Sequence, residues 1–119
     1  MKKLITGLIF SLFIQGCSLS VSYMPKSSKL YTPKSSSFPI PVFQMNEDLP
    51  NNYKVIGSIS VQNNMGMTAK CGYKDVIIAA QNQARDVGGD AIQVVQTIPD
   101  FTGICFSLIV NVLTLESNN

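Results

Sequence analysis

Three cysteines, Cys17, Cys71 and Cys105, are the residues of this 119-residue chain best suited to covalent chemistry. The chain has no histidine, so the usual neutral-pH general base and the commonest nitrogen ligand for metals are both missing. A Gly-x-Ser-x-Gly elbow and a phosphate-binding glycine loop are also absent, and both would carry a recognisable turnover chemistry. Cys71 and Cys105 are 34 positions apart rather than in a Cys-x-x-Cys pair, which speaks against a redox couple. Asp75, Asp86, Asp90 and Asp100 read as solvated charges, and Asp90 also as a turn former. Met65 and Met67 without histidine read as exposed loop methionines rather than a copper site. The sequence therefore predicts no enzyme, no cofactor and no metal site. What remains for sulfur is modification and cross-linking.

Cys17 closes a distinctive segment. Met1-Lys2-Lys3 is a basic start, and Leu4 to Ile14 is an apolar run of 11 residues broken only by Thr6, Gly7 and Ser11. A bilayer-spanning helix needs about 20 residues, so the run is too short to cross. It has the layout of a secretory signal peptide. The run ends in Ile14-Gln15-Gly16-Cys17, which resembles the bacterial lipobox, where a small residue precedes the cysteine that becomes the acylated first residue. Residues 1–16 are expected to be removed and Cys17 to carry lipid. Two or more acyl chains anchor stably where one holds weakly. The alternatives are cleavage by a general signal peptidase and an uncleaved anchor. Ser18 in place of Asp after the cysteine resembles the sorting signal for an outer membrane, with the domain in the periplasm.

Residues 18–38 hold eight serines and two prolines, with Lys26, Lys29 and Lys34 as the only charges. No period is visible, and such a composition buries too little to offset its ordering entropy. Residues 17–38 are expected to be a disordered tether. Its scattered apolar residues, including Tyr23 and Tyr31, would suit threading along a partner. The rest, 39–119, is expected to be one small domain.

The cysteines of that domain must be placed by its elements. Residues 71–91 carry the clearest helical period: Tyr73, Val76, Ile77, Ala80, Ala84 and Val87 share one side. Gly88-Gly89 supplies a stop, because glycine takes the left-handed conformation that closes helices. Strands are expected at Pro39–Met45 (an edge or extended arm, given its prolines), Tyr53–Gln62, Ala91–Ile98 and Cys105–Leu115. Gly57 marks a bulge or a close backbone approach in the second of these. In the third, Ile92, Val94 and Ile98 are expected on one face, with Gln96 interrupting it. The fold class that follows is α+β: a small, mostly antiparallel sheet in the order strand, strand, helix, strand, strand, with the helix packed on one face.

With Cys17 assigned to lipid, export favours a bridge between Cys71, just before the helix, and Cys105, at the start of the last strand. Two free buried thiols and a redox pair are the alternatives.

These residues resemble the Rcs stress-sensing outer-membrane lipoprotein family of enterobacteria. Cys71 before the helix and Cys105-Phe106 opening the last strand match bridged family positions. The helix followed by Gly89-Asp90-Ala91-Ile92 matches its helix-to-strand passage, a feature shared with small YbjQ-like domains. The family has a second bridge, and its sites fall here near Val95 or Gln96 and near Asn111. The resemblance implies a non-enzymatic envelope lipoprotein that senses or relays envelope state by binding other proteins.

A structural accessory of an envelope assembly fits the same plan. The expected partners are a bilayer, reached through acyl chains, and envelope proteins such as an outer-membrane barrel or a secretion component. Nucleic acid is not among them. From Pro41 onward Lys54, Lys70, Lys74 and Arg85 face seven acidic residues, and nucleic acid needs a clustered basic surface. Asn63 to Lys70 with Pro99 to Gly103 is the expected binding surface, offering Met65, Met67, Tyr73 and Phe101. Tyr23 and Tyr31 are the candidates on the tether.

Overall fold

The computed structural model describes residues 19–50, 52–62 and 71–115. They form an α+β domain in which one helix, α1 (Tyr73–Asp86), lies on a five-stranded sheet. In chain order the strands are β1 (Ser20–Pro25), β2 (Val42–Phe43), β3 (Tyr53–Gln62), β4 (Ala91–Pro99) and β5 (Phe106–Leu115). Their order across the sheet is β1-β3-β5-β4-β2. All pairings are antiparallel except β2 with β4, which is parallel and two residues long.

The helix forms where the apolar period predicts it. Val76, Ala80 and Ala84 face the sheet with no solvent exposure, against a core that includes Ile59, Val61, Ile92, Val94, Leu108, Val110 and Val112. Ile77 is half-buried against the same cluster. The helix ends at Gly88, whose φ of 86° is unfavourable for residues with a Cβ. The Gly88 and Gly89 amides then close the last turn on Arg85 and Ala84. Tyr73, expected in the core, lies at the rim with more than a third of its surface exposed. It is the first residue of the helix, with only Phe106 of β5 meeting its ring edge-on.

Two bulges set the register. Val55 pairs with Leu113 and Gly57 with Val112, so Ile56 is an extra residue in β3. Ile56 turns into the core, while Val55 moves to the other face, away from Ile59 and Val61, which strict alternation would have set beside it. In β4, Val94 pairs with Val110 and Gln96 with Ile109. The extra residue there, Val95, puts Gln96 and Ile98 on the face away from the helix. Ile98 is consequently exposed rather than aligned with Ile92 and Val94.

The largest departure concerns the expected tether. Ser20–Pro25 is an edge strand paired with β3 along its whole length, from Ser20 opposite Gln62 to Pro25 opposite Gly57. Val21 and Tyr23 stand opposite Val61 and Ile59, so the alternation of serine with larger residues is a strand pattern. Tyr23 lies across Gly57, where a Cβ would meet the ring at 2.6 Å. Its hydroxyl donates to the Ile56 carbonyl at 3.2 Å. The bulge glycine thus makes room for the aromatic ring that covers it.

The following residues form a strap over the helix. The Lys34 amide donates to the Arg85 carbonyl at 2.8 Å. Arg85 Nε donates to the Phe38 carbonyl at 2.6 Å, and Gln81 Nε2 to the Ile40 carbonyl at 2.9 Å. Gln81 and Arg85, one helical turn apart, serve the strap backbone as a second strand would. Lys34 also pairs with Asp90 at 2.9 Å, so Asp90 is not simply solvated. Ile40 ends the strap inside the core.

If β1 belongs to the cooperative fold, Tyr23→Ala should destabilise the chain by about 2 kcal/mol, below a fully buried aromatic truncation because the ring is half-buried. It should also speed amide hydrogen exchange in residues 20–25. A loss under about 0.5 kcal/mol, within the usual surface range, with unchanged exchange would show that β1 adds nothing.

Candidate functional site

The features with functional character gather at one end of the sheet. Cys71 and Cys105 are disulfide-bonded there, with Cα atoms 4.7 Å apart. The Phe106 amide donates to the Cys71 carbonyl at 2.9 Å, reinforcing the same junction. Asp75 starts the helix by accepting from the Gly72 amide at 3.1 Å, a carboxylate in the first turn that also suits the helix dipole. The bridge therefore ties the helix start to the first residue before β5. Of the alternatives open from sequence, two free buried thiols give way to a cross-link.

Tyr73 sits on this junction. Its ring meets Phe106 edge-on with centroids 5.9 Å apart, and its hydroxyl donates to Gln44 Oε1 at 3.3 Å. Beyond the junction projects the β4–β5 hairpin. The Asp100 carboxylate accepts from the Thr102 amide, the Gly103 amide and the Thr102 hydroxyl. The Thr102 hydroxyl oxygen in turn accepts from the Ile104 amide. Gly103, at φ 75°, completes a turn that needs positive φ. The bond from the Thr102 side chain comes first among the causes that hold the Asp100 carboxyl below its ordinary range. This turn raises two apolar side chains into solvent: Phe101 is 92% exposed and Ile104 70%.

The other candidates lie apart. Tyr23 and Tyr31 are half-buried against the core. Burial first, and the neighbouring Tyr31 second, push the Tyr23 phenol above its ordinary value. Tyr31 packs on Gly88 at the opposite end of the sheet, with the Lys29 ammonium 5.1 Å from its ring centre. Cys17, Met65 and Met67 lie outside the described residues. Of the expected surface, Tyr73 and Phe101 are thus at the disulfide end, and the tether tyrosines are built into the domain.

Sequence reasoning missed Ile104 and Ile98. The signal for Ile104 was its place after the Asp-Phe-Thr-Gly turn, where a second apolar residue has no core to enter. It also missed the sheet face away from α1. Cross-strand rows there run Ser22, Ser60, Ile109, Gln96 and Met24, Ser58, Asn111, Gln93, with no charged side chain in either. Among the described residues no three His, Cys, Asp or Glu side chains come together to hold a metal ion.

One solved structure shares this fold. It is the crystal structure of a Francisella virulence factor, FvfA, in its orthorhombic form, with a TM-score of 0.52 and 16% identity. The alignment covers 82% of this chain and 99% of that one. At that identity the likeness is one of fold. No protein-family model matches the chain, and no curated protein matches it.

Replacing both Cys71 and Cys105 by alanine should cost about 4 kcal/mol by loop entropy for a 34-residue separation. Labelling of denatured, unreduced protein should find neither thiol free. Asp100 carries a pH signature. Its carboxyl is held low in the folded chain, so the turn's contribution is complete above the ordinary carboxylate range and is lost as pH falls through the folded value. The stability gap between the native chain and Asp100→Asn should accordingly narrow on acidification below that range. A gap independent of pH would assign the turn's stability elsewhere.

Proposed function

We propose that this chain is a non-enzymatic, lipid-anchored envelope protein that senses or relays envelope state by binding other proteins. The observation that carries the reading is the Cys71–Cys105 bond. Structural disulfides persist in exported proteins and are rare in reducing compartments. The bond therefore agrees with the signal-like run before Cys17, an independent feature of the sequence. The resemblance to the Rcs lipoprotein family supports the relay role, and the periplasmic side of an outer membrane is the location it implies. Of the four aspartates read from sequence as solvated charges, all but Asp86 have structural work: Asp75 caps the helix, Asp90 pairs with Lys34 and Asp100 builds the hairpin turn.

The test has two readouts. Mass spectrometry of the native protein should show an acylated N-terminal Cys17. A photocrosslinker at Tyr73, on the rim beside the bridge, should trap an envelope protein in cells. The yield of that adduct should change when the outer membrane is damaged. An unmodified, soluble mature chain would refute the anchor. An adduct whose yield ignores envelope damage would refute the relay and leave a structural accessory of an envelope assembly.

A further inference from the structure

The reading that an acylated Cys17 attaches the chain to a membrane has a geometric consequence once β1 is known. Only Ser18 and Leu19 separate Cys17 from the strand. Ser20 stands opposite Gln62 at the disulfide end of the sheet. The β3–β5 register, with Val61 opposite Leu108, brings Gln62 level with Ser107, and Ser107 faces Ile98. Ser20 and Ile98 therefore lie in one row across four strands. Cys17 precedes Ser20 by three residues, and Phe101 follows Ile98 by three. At about 3.3 Å per residue each can reach about 10 Å beyond that row. The first residue of β1 and the β4–β5 hairpin thus stand at the same end of the sheet. The strand is the one that follows Cys17 in sequence, and the hairpin carries the most exposed aromatic residue among those described.

We infer that the β4–β5 hairpin tip is a membrane-seating element, in which Phe101 and Ile104, flanked by Ile98, enter the lipid interface beside the anchor. The chemistry of the occupant is a phospholipid headgroup and upper acyl region. Aromatic and aliphatic side chains partition there in proportion to buried apolar area. The tip is fit for this because it is preorganised: the Asp100 and Thr102 bonds hold Phe101 and Ile104 outward before any contact. Asp100, the tip's single charge, turns its carboxylate back onto the turn amides. No lysine or arginine lies on the hairpin from Pro99 to Phe106, so the seat recognises the apolar interface rather than anionic headgroups. The 21-residue spacer expected from composition would have let the domain stand off the membrane. The two residues that remain do not.

This inference rests on the membrane-attachment reading and deepens it. The chain has no tryptophan, so one introduced residue is a clean probe. The full chain, extracted from membranes, is reconstituted into vesicles of phosphatidylethanolamine and phosphatidylglycerol carrying acyl-brominated lipid. Phe101→Trp is compared with Leu30→Trp, an equally exposed position at the far end of the sheet. Expected is a blue-shifted emission from position 101 that brominated lipid quenches, with water-like, unquenched emission from position 30. Co-flotation with vesicles and an unquenched, red-shifted position 101 would overturn the seat while leaving the anchor intact. A blue shift without quenching would assign the tip to a protein contact or a second copy, and would overturn it too. Quenching at position 101 in a chain whose Cys17 is unmodified would uphold the seat and refute lipidation. Absence of both flotation and quenching would refute both.

Discussion

The close approach of the helix to the sheet governs the rest of this structure. Ala80 and Ala84 bring the α1 backbone down onto the strands, and at Gly89 a Cβ would meet Val112 Cγ1 at 2.5 Å. Such a seam excludes larger residues, since added volume in a packed layer forces strain. It also leaves the flanks of the helix low over the sheet. From that height Gln81 and Arg85 reach the carbonyls of Ile40 and Phe38, and Cys71 reaches Cys105. A helix riding higher on leucines would have separated both pairs.

The two ends of the domain are fastened by different means. At one end the bond is covalent, with Tyr73 and Phe106 closing over it edge to face. At the other the fastening is polar, through the strap, the Lys34–Asp90 pair and the Asp90 carboxylate on the Leu115 amide. The asymmetry suits the exposures. The covalent end can carry large apolar side chains into solvent because its own folding does not depend on burying them. The polar end presents charges whose pairing water weakens but does not abolish.

How much of this was legible depends on where each residue finds its partners. The helix and strands β3, β4 and β5 carry their own period, and Gly57 announced its bulge. β1 was hidden because six residues, two of them serine, resemble a spacer until Val21 and Tyr23 are set opposite Val61 and Ile59. The strap was hidden for a stronger reason: its hydrogen bonds go to side chains of a distant helix, so its own sequence needs no period. In β4 the bulge at Val95 shifted Ile98 to the outer face, and the interruption at Gln96 was its sole trace. The cysteine pair was readable by elimination. Phe101 was legible as a surface residue of its turn, while Ile104 beside it was passed over, because an apolar residue after a turn is ordinarily assigned to the core.

The antiparallel pairing of β1 with β3 also determines how the domain would bear load. Hydrogen bonds in such a ladder run across the strands. A pull on the N-terminus directed outward from the disulfide end runs along the axis of β1. The ladder bonds from Ser20 to Pro25 are then loaded together, in shear, instead of being opened one after another as in peeling. The strap beyond Pro25 doubles back over the helix, so β1 cannot slide without also drawing on the bonds to Arg85 and Gln81. From Ser20, its first paired residue, β1 would thus resist such a pull as a unit.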